Sequence, residues 1–145
     1  SVCWLGDNKA MPILVWSDEY SINVAEIDEQ HKKLLEHVNE LHAGVEAQID
    51  KEDLHQLVLD LYEYTRFHFA SEEKLMNQYG MEQTKKHHKE HKLLLRHLEH
   101  ICNAISEGKR PAFYSEYDVS NDWFLAHIMG FDKKMGAFLN AKGVY

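Results

Sequence analysis

The chain has 145 residues, of which 44% are hydrophobic and 28% are charged, and its formal net charge is −8. This length and balance predict one globular domain rather than a disordered chain. The negative charge argues against nucleic-acid binding, because contacts of basic side chains with phosphates supply most of the affinity in that class. No apolar run approaches the roughly 18 residues that a membrane span needs. Cys3 and Cys102 are far apart, which favours free thiols in a reducing compartment, and we therefore expect a cytoplasmic protein.

Helical segments are expected to make up most of the chain, which is rich in Leu, Glu, Lys, Gln and His and has only two prolines. Residues 1–20 are predicted to form an irregular N-terminal arm. The predicted helices cover about residues 23–47, 51–79, 82–106 and 119–139. Asp50 offers an N-cap to the second helix, and Gly80 supplies its C-terminal stop. Short connections then predict an all-α fold, an up-down-up-down antiparallel four-helix bundle that occupies residues 21–145 as a single domain.

Eleven histidines are an unusually high number for this length, and histidine is the commonest transition-metal ligand. Three of them occur in the stretch KKHHKEHK at residues 85–92. With about 100° of rotation per residue, His87 and His91 share the apolar face of the third helix, whereas His88 and the lysines point outward. Two residues of this stretch are therefore candidate ligands. The histidines expected to face solvent are His37, His55, His88, His97 and His100.

The other three helices also direct histidines toward the core. The second helix carries His68 and Glu72 as an i,i+4 pair on its apolar face, and His31 and His127 lie on the inner faces of the first and fourth helices. A single histidine on such a face is usually a hydrogen-bonded core residue, and we keep that interpretation for His42. Five imidazoles and a carboxylate, however, would each cost several kcal/mol if they were buried without partners. The four faces together favour a metal site in the core of the bundle.

Asp132 is a second acid in the neighbourhood of these histidines. It follows His127 by five residues, which places it about 140° away on an ideal α-helix. Asp132 is then either solvated, or it reaches the metal site from the side or through a π-bulge. Gly130, between the two residues, tolerates such a departure from α-helical geometry. The spacing alone leaves these alternatives open.

An ordered set of four motifs resembles the hemerythrin family, specifically its bacteriohemerythrin-like domains. The motifs are IDEQH, HFASEE, HHKEH and WFLAHIMGFD, and the resemblance extends over residues 16–139. It implies a centre of two iron ions, Fe2+ or Fe3+, with an oxo or hydroxo bridge. The implied ligands are His87, His91 and His127 on one iron, His31 and His68 on the other, and Glu72 and Asp132 as bridges between them.

The resemblance also implies a function, which is reversible O2 binding for storage, delivery or sensing and not enzymatic turnover. In this family O2 is held as hydroperoxide at one open iron position. NO, or azide-like anions in the diferric form, would be further ligands. Apolar walls around the bound O2 would exclude water. The candidate wall residues are Leu34, Leu35, Phe69, Trp123 and Leu125.

Three other functions can be compared with this one. A diiron oxidase of the ferritin-like kind uses about four carboxylates and two histidines, whereas the predicted set has five histidines and two carboxylates. A sensory input domain that responds to O2, redox state or NO, fused to a signalling module in a parent protein, would use the same site and stays open. A structural zinc site is disfavoured, because seven ligands exceed the four of a tetrahedral centre.

Overall fold

The computed structural model describes residues 14–109 and 125–145, and these residues form helices and no strand. The elements are a 3-10 turn at Asp18–Tyr20, the helices α1 (Ala25–Glu46), α2 (Lys51–Tyr79), α3 (Thr84–Ser106) and α4 (Lys133–Ala141), and a π-helical turn at Ile128–Asp132 that leads directly into α4. The predicted all-α four-helix bundle is confirmed. The predicted start of the fourth helix, at residues 119–124, lies outside the described ranges.

The helix α2 is central to the bundle and packs against α1, α3 and α4. Its bounds agree with the prediction because both ends carry local signals. At the N-terminus, the Asp50 carboxylate accepts a hydrogen bond from the Asp53 N–H at 3.1 Å. At the C-terminus, Gly80 adopts a left-handed conformation with φ 71°, and the Met81 N–H donates to the Met76 carbonyl at 3.0 Å.

The apolar stripes of the helices meet in one core. A fully buried Leu, Ile or Met side chain contributes about 1.5–3 kcal/mol to folding, so this core supplies most of the driving force. No helix among the described residues is long and apolar enough to cross a membrane. The largest fully buried apolar side chains are Ile27, Leu41, Leu54, Leu61, Met76, Leu98, Ile101, Ile105, Ile128, Met135 and Leu139.

Residues 21–23, here called the clasp, run along one face of α4 immediately before α1 begins. Lys133 Nζ donates to the Ser21 carbonyl at 2.9 Å, and Asn140 Nδ2 donates to the Asn23 carbonyl at 2.9 Å. Asn23 Nδ2 in turn donates to Asn140 Oδ1 at 3.1 Å. Because α1 follows directly, these bonds fix α4 relative to α1.

Between these bonds, Gly136 allows the clasp to lie against the backbone of α4. A Cβ at this position would be 2.3 Å from the Ile22 carbonyl oxygen and 2.8 Å from the Ile22 Cβ. The clasp is also held from the side of α1, since Asp28 Oδ1 accepts from the Ile22 N–H at 2.9 Å. Glycine is therefore required here by the close approach of two backbone segments.

Of the predicted arm, residues 14–20 lie within the described ranges. Leu14 is buried and forms two hydrogen bonds with one side chain of α1: its N–H donates to Asn39 Oδ1 at 3.0 Å, and Asn39 Nδ2 donates to its carbonyl at 2.7 Å. Trp16 packs half-buried against the core. The described end of the arm is thus attached to the bundle.

Candidate metal centre

The seven residues predicted as metal ligands come together in one cluster within the bundle. All are buried, and His127, with 6% of its surface exposed, is the most accessible of them. Since α1, α2, α3 and the segment around the π-helical turn each contribute, the cluster depends on the packing of the whole bundle. The contributions are His31 from α1, His68 and Glu72 from α2, His87 and His91 from α3, and His127 and Asp132 from the π-helical segment.

The π-helical turn brings His127 and Asp132 to the same face of their helix. Asp132 Oδ1 is 3.0 Å from His127 Nε2, and Asp132 has no exposed surface, so this carboxylate is not solvated. A π-helical turn advances by more residues per rotation than an α-helix, which suits a five-residue spacing. Gly130 has open space around it and no positive φ. Glycine is thus compatible with the turn, as expected from the sequence, but the turn does not require it.

The two carboxylates lie between two groups of histidines. The two-histidine group consists of His31 and His68. Glu72 directs Oε1 toward this group, at 2.7 Å from His68 Nε2 and 3.4 Å from His31 Nε2. Asp132 directs Oδ2 toward it, at 2.9 Å from His31 Nε2.

The three-histidine group, which consists of His87, His91 and His127, faces the other oxygen of each carboxylate. Glu72 Oε2 is 2.9 Å from His91 Nε2 and 3.2 Å from His87 Nε2. Asp132 Oδ1 is 3.0 Å from His127 Nε2 and 3.1 Å from His87 Nε2. Each carboxylate thus presents one oxygen to each histidine group, which is the arrangement of two cation positions that share two bridging acids.

The geometry of three of these contacts fits bound cations better than hydrogen bonds. The Nε2 atoms of His68, His91 and His127 lie 2.7–3.0 Å from carboxylate oxygens, yet none of the three is oriented to form a hydrogen bond. Adjacent ligand atoms of an octahedral cation with bonds of about 2.1 Å are about 3.0 Å apart. In each group the ligand atoms all lie within 4.8 Å of one another. The residues present therefore fit a pair of cations.

Without cations, protons provide the balancing charge in this buried cluster. Burial opposes a charge on His31 and His87, but the hydrogen bonds and charges of Asp132 and Glu72 outweigh it and raise the pKa of each imidazole to about 9. Burial would likewise raise the pKa of both carboxyls, but the surrounding histidines hold those pKa values below the usual range. A bound cation has to displace the protons of His31 and His87.

Gln30 lies behind the two-histidine group and fixes the orientation of His68. Its Nε2 donates to Ser71 Oγ at 3.2 Å, so its Oε1 faces His68 Nδ1 at 2.7 Å and accepts that N–H. His68 Nε2 is then left with its lone pair directed at the cluster. Gln30 is not among the site residues predicted from the sequence, although the sequence carries a signal for it. Gln30 follows Ile27 by three residues and precedes Leu34 by four, so it lies on the apolar stripe of α1. A polar side chain in that position needs a buried hydrogen-bond partner.

A small cavity of about 10 Å³ adjoins the cluster. Of the predicted wall residues, Leu34 and Phe69 line it, Leu35 and Leu125 do not, and Trp123 lies outside the described ranges. The space is comparable to that needed by one water molecule. The lining residues are His31, Leu34, His68, Phe69, Leu94, His127, Ile128 and Asp132.

Phe69 connects this cavity to the three-histidine group. Its ring stacks on the His91 ring, with the centroids 3.7 Å apart and the planes 4° from parallel, and it lies 5.6 Å from the His127 ring. Leu94 and Ile128 are not among the predicted wall residues, although both lie on apolar helix faces. Their role depends on how the helices meet, which periodicity does not specify.

The histidines outside the cluster differ in exposure. His42 is buried, as expected for a core residue. His88 and His100 are exposed, but the other three that we predicted to face solvent are half-buried. Contacts between helices cover two of these rings: the His37 ring lies 5.3 Å from the Tyr64 ring of α2, and His55 Nε2 lies 3.2 Å from the Cys102 Sγ of α3.

Comparisons with known proteins agree with this architecture. Residues 23–139 match the family model described as hemerythrin HHE cation binding domain. The bacteriohemerythrin of Pseudomonas aeruginosa strain LESB58 is 32% identical over 131 residues, which cover 84% of this chain and 78% of that protein. The bacteriohemerythrin of Methylococcus capsulatus is 28% identical over 132 residues, which cover 90% of this chain and 100% of that protein. A crystal structure of wild-type hemerythrin superposes with a TM-score of 0.78 at 26% identity, covering 88% of this chain and 98% of that chain. The chain therefore belongs to the hemerythrin family.

Proposed function

We propose that the cluster holds two iron ions and that the protein binds O2 reversibly, for storage, delivery or sensing. The observation that carries this proposal is the pair of carboxylates, each of which presents one oxygen to each histidine group. The membership in the hemerythrin family supports it as well. In this proposal Glu72 and Asp132 would be shared by the two ions, His31 and His68 would hold one of them, and His87, His91 and His127 would hold the other.

The two cation positions differ in their number of ligands, which gives O2 a place to bind. The three-histidine group and the two carboxylates offer five ligand atoms, whereas the two-histidine group and the same carboxylates offer four. An external ligand therefore belongs on the side of His31 and His68. When bound, two iron ions supply the electrons that O2 takes up and then returns on release.

The cavity supports small-molecule binding near His31 and His68, because both histidines line it, whereas only His127 of the three-histidine group does so. The cavity volume of about 10 Å³ is close to the space that one water molecule needs, so it suits only very small ligands and excludes an organic substrate. Leu34, Phe69 and Leu94 cover it with apolar surface, which keeps water, and hence protons, away from the bound molecule. These side chains would therefore slow the irreversible oxidation of the site.

We propose binding rather than enzymatic turnover on the basis of the donor set. Five histidines and two carboxylates surround the site, whereas ferritin-like oxidase sites use about four carboxylates and two histidines. Carboxylates stabilise the high oxidation states that cleave O2, and neutral imidazoles do so less. A sensory role within a larger signalling protein would use the same binding chemistry. NO, and azide-like anions in the oxidised form, would be further ligands of the same site.

Anaerobic reduction of the iron-loaded protein, followed by admission of O2, tests the proposal. We expect a visible absorption band that appears with O2 and disappears when O2 is removed, with two irons per chain. His91→Ala should lose iron, whereas His100→Ala, an exposed residue on the same helix, should retain it. A stable oxidised product that does not return O2 would favour an oxidase or a redox sensor. One zinc and no iron per chain would refute the proposal.

A further inference from the structure

Glu73, on α2, lies between two histidines of α3 and reaches from the surface toward the cluster. Its Oε1 contacts His88 Nδ1 and is 3.6 Å from His91 Nδ1. The side chain of His88 is 49% exposed, that of Glu73 is 23% exposed and that of His91 is 2% exposed. One carboxylate is thus within reach of a surface histidine and of a histidine in the cluster.

The orientation of the His91 ring determines whether its Nδ1 needs a hydrogen-bond acceptor. His91 Nε2 faces Glu72 Oε2 at 2.9 Å, within the three-histidine group. If Nε2 binds a cation, the ring proton is on Nδ1, which must then find an acceptor because it is buried. His91 Nδ1 makes no hydrogen bond in this arrangement. Among the described residues, the acid that approaches it is Glu73.

The ring of His91 is not free to turn toward another acceptor. Phe69 stacks on it at 3.7 Å and 4°, so the direction of the Nδ1–H bond is set by packing. Closing the gap to Glu73 requires a movement of well under 1 Å to reach a hydrogen bond of about 2.9 Å. A rotation of the Glu73 side chain away from His88 is enough to supply it.

We propose that Glu73 is a positioning residue for His91, shared with His88. In the cation-free protein His88 holds the Glu73 carboxylate, and when a cation binds at His91 Nε2 the carboxylate turns to accept a hydrogen bond from His91 Nδ1–H. A carboxylate behind a ligating histidine fixes its tautomer and strengthens it as a ligand. This inference rests on the proposed cation site, and it gives the surface residue His88 a role opposed to that of Glu73.

The direction in which each substitution changes the rate of cation loss distinguishes this role from an ordinary surface ion pair. Removing Glu73 takes away the acceptor for His91, so the cation at the three-histidine group should be lost faster. Removing His88 takes away the competitor, so the cation should be held equally well or more tightly. If Glu73 and His88 formed only a structural pair, removing either residue would have the same effect.

The rate at which iron leaves the loaded protein to an excess of a coloured Fe2+ chelator tests the proposal. For Glu73→Leu, we expect one of the two irons to leave ~10-fold faster or more than in the wild type. Glu73→Gln keeps an oxygen acceptor and should stay within a few-fold of the wild-type rate. His88→Ala should match the wild type or be slower. Glu63→Leu, a change to an exposed acid on the same helix, serves as the control and should not alter the rate.

The outcomes also distinguish this inference from the proposed function. Wild-type protein that binds no iron would overturn both. If the wild type holds two irons and Glu73→Leu releases them at the wild-type rate, only the role of Glu73 is refuted. Release accelerated as much by His88→Ala as by Glu73→Leu would also refute it. Far-UV circular dichroism of the cation-free variants verifies that each one is folded before its release rate is compared.

Discussion

Replacing Gly136 with alanine tests the contact between the clasp and α4. The new methyl group would lie 2.3 Å from the Ile22 carbonyl oxygen, and Ile22 cannot yield easily because Asp28 and Lys133 hold residues 21–22 from both sides. Alanine gains about 1 kcal/mol over glycine from helix propensity. Overpacking against a rigid backbone segment costs about 3 kcal/mol. We therefore expect the free energy of unfolding to fall by about 2 kcal/mol.

Chemical denaturation of the cation-free protein, followed by far-UV circular dichroism, measures this loss. A thermal melt should show the midpoint lowered by ~4–8 °C for a chain of this size. The matched control is Gly130→Ala, because an alanine there would meet nothing within 4 Å and that glycine has no positive φ. The control should unfold at the wild-type midpoint or above it. If Gly136→Ala is as stable as the wild type, the clasp does not press on α4 and the reasoning is wrong.

Three further predictions concern a helix cap, a ligand-orienting residue and the cations. Asp50→Ala removes the bond to the Asp53 N–H and should lower the free energy of unfolding by about 1 kcal/mol, with Asp50→Ser restoring most of it in denaturation experiments. Gln30→Leu removes the acceptor for His68 Nδ1 and should weaken the affinity for one of the two cations ~10-fold in a metal titration. Adding a chelator to the loaded protein should lower its melting temperature, since a cation at 100 times its Kd stabilises the fold by about 2.7 kcal/mol. An unchanged melting temperature would show that no cation is bound.

The helix ends could be predicted wherever the signal is local. The second helix is correct at both ends because Asp50 and Gly80 act on their own neighbours. The third helix begins at residue 84 rather than at about 82, because the Thr84 N–H and hydroxyl both bond to the Met81 carbonyl and close a turn before the helix starts. Hydrophobic periodicity does not predict such a turn, because it indicates only which face of a helix each side chain occupies.

The inward direction of the histidines could also be predicted, because helical spacing fixes which side chains share a face. The position of Asp132 could not, since a five-residue spacing is compatible with an α-helix or with a π-helical turn. The contacts of the clasp with α4 could not be predicted either, because Asn23 and Asn140 are 117 positions apart in the sequence and meet only after the bundle has assembled. The outward position of His88 was correct, but its contact with Glu73 depends on the packing of two helices.

The π-helical turn can be understood as a one-residue insertion. In α2 and α3 the paired cluster residues are four positions apart, whereas His127 and Asp132 are five apart. The extra residue is accommodated on the solvent side, where the Met129 side chain is 49% exposed and Gly130 has open space. Both ends of the segment still face the core, and α4 continues in regular register to the clasp. The π-helical turn thus accommodates one extra residue between two buried cluster residues. Deleting one residue there would restore the four-residue spacing found in α2 and α3.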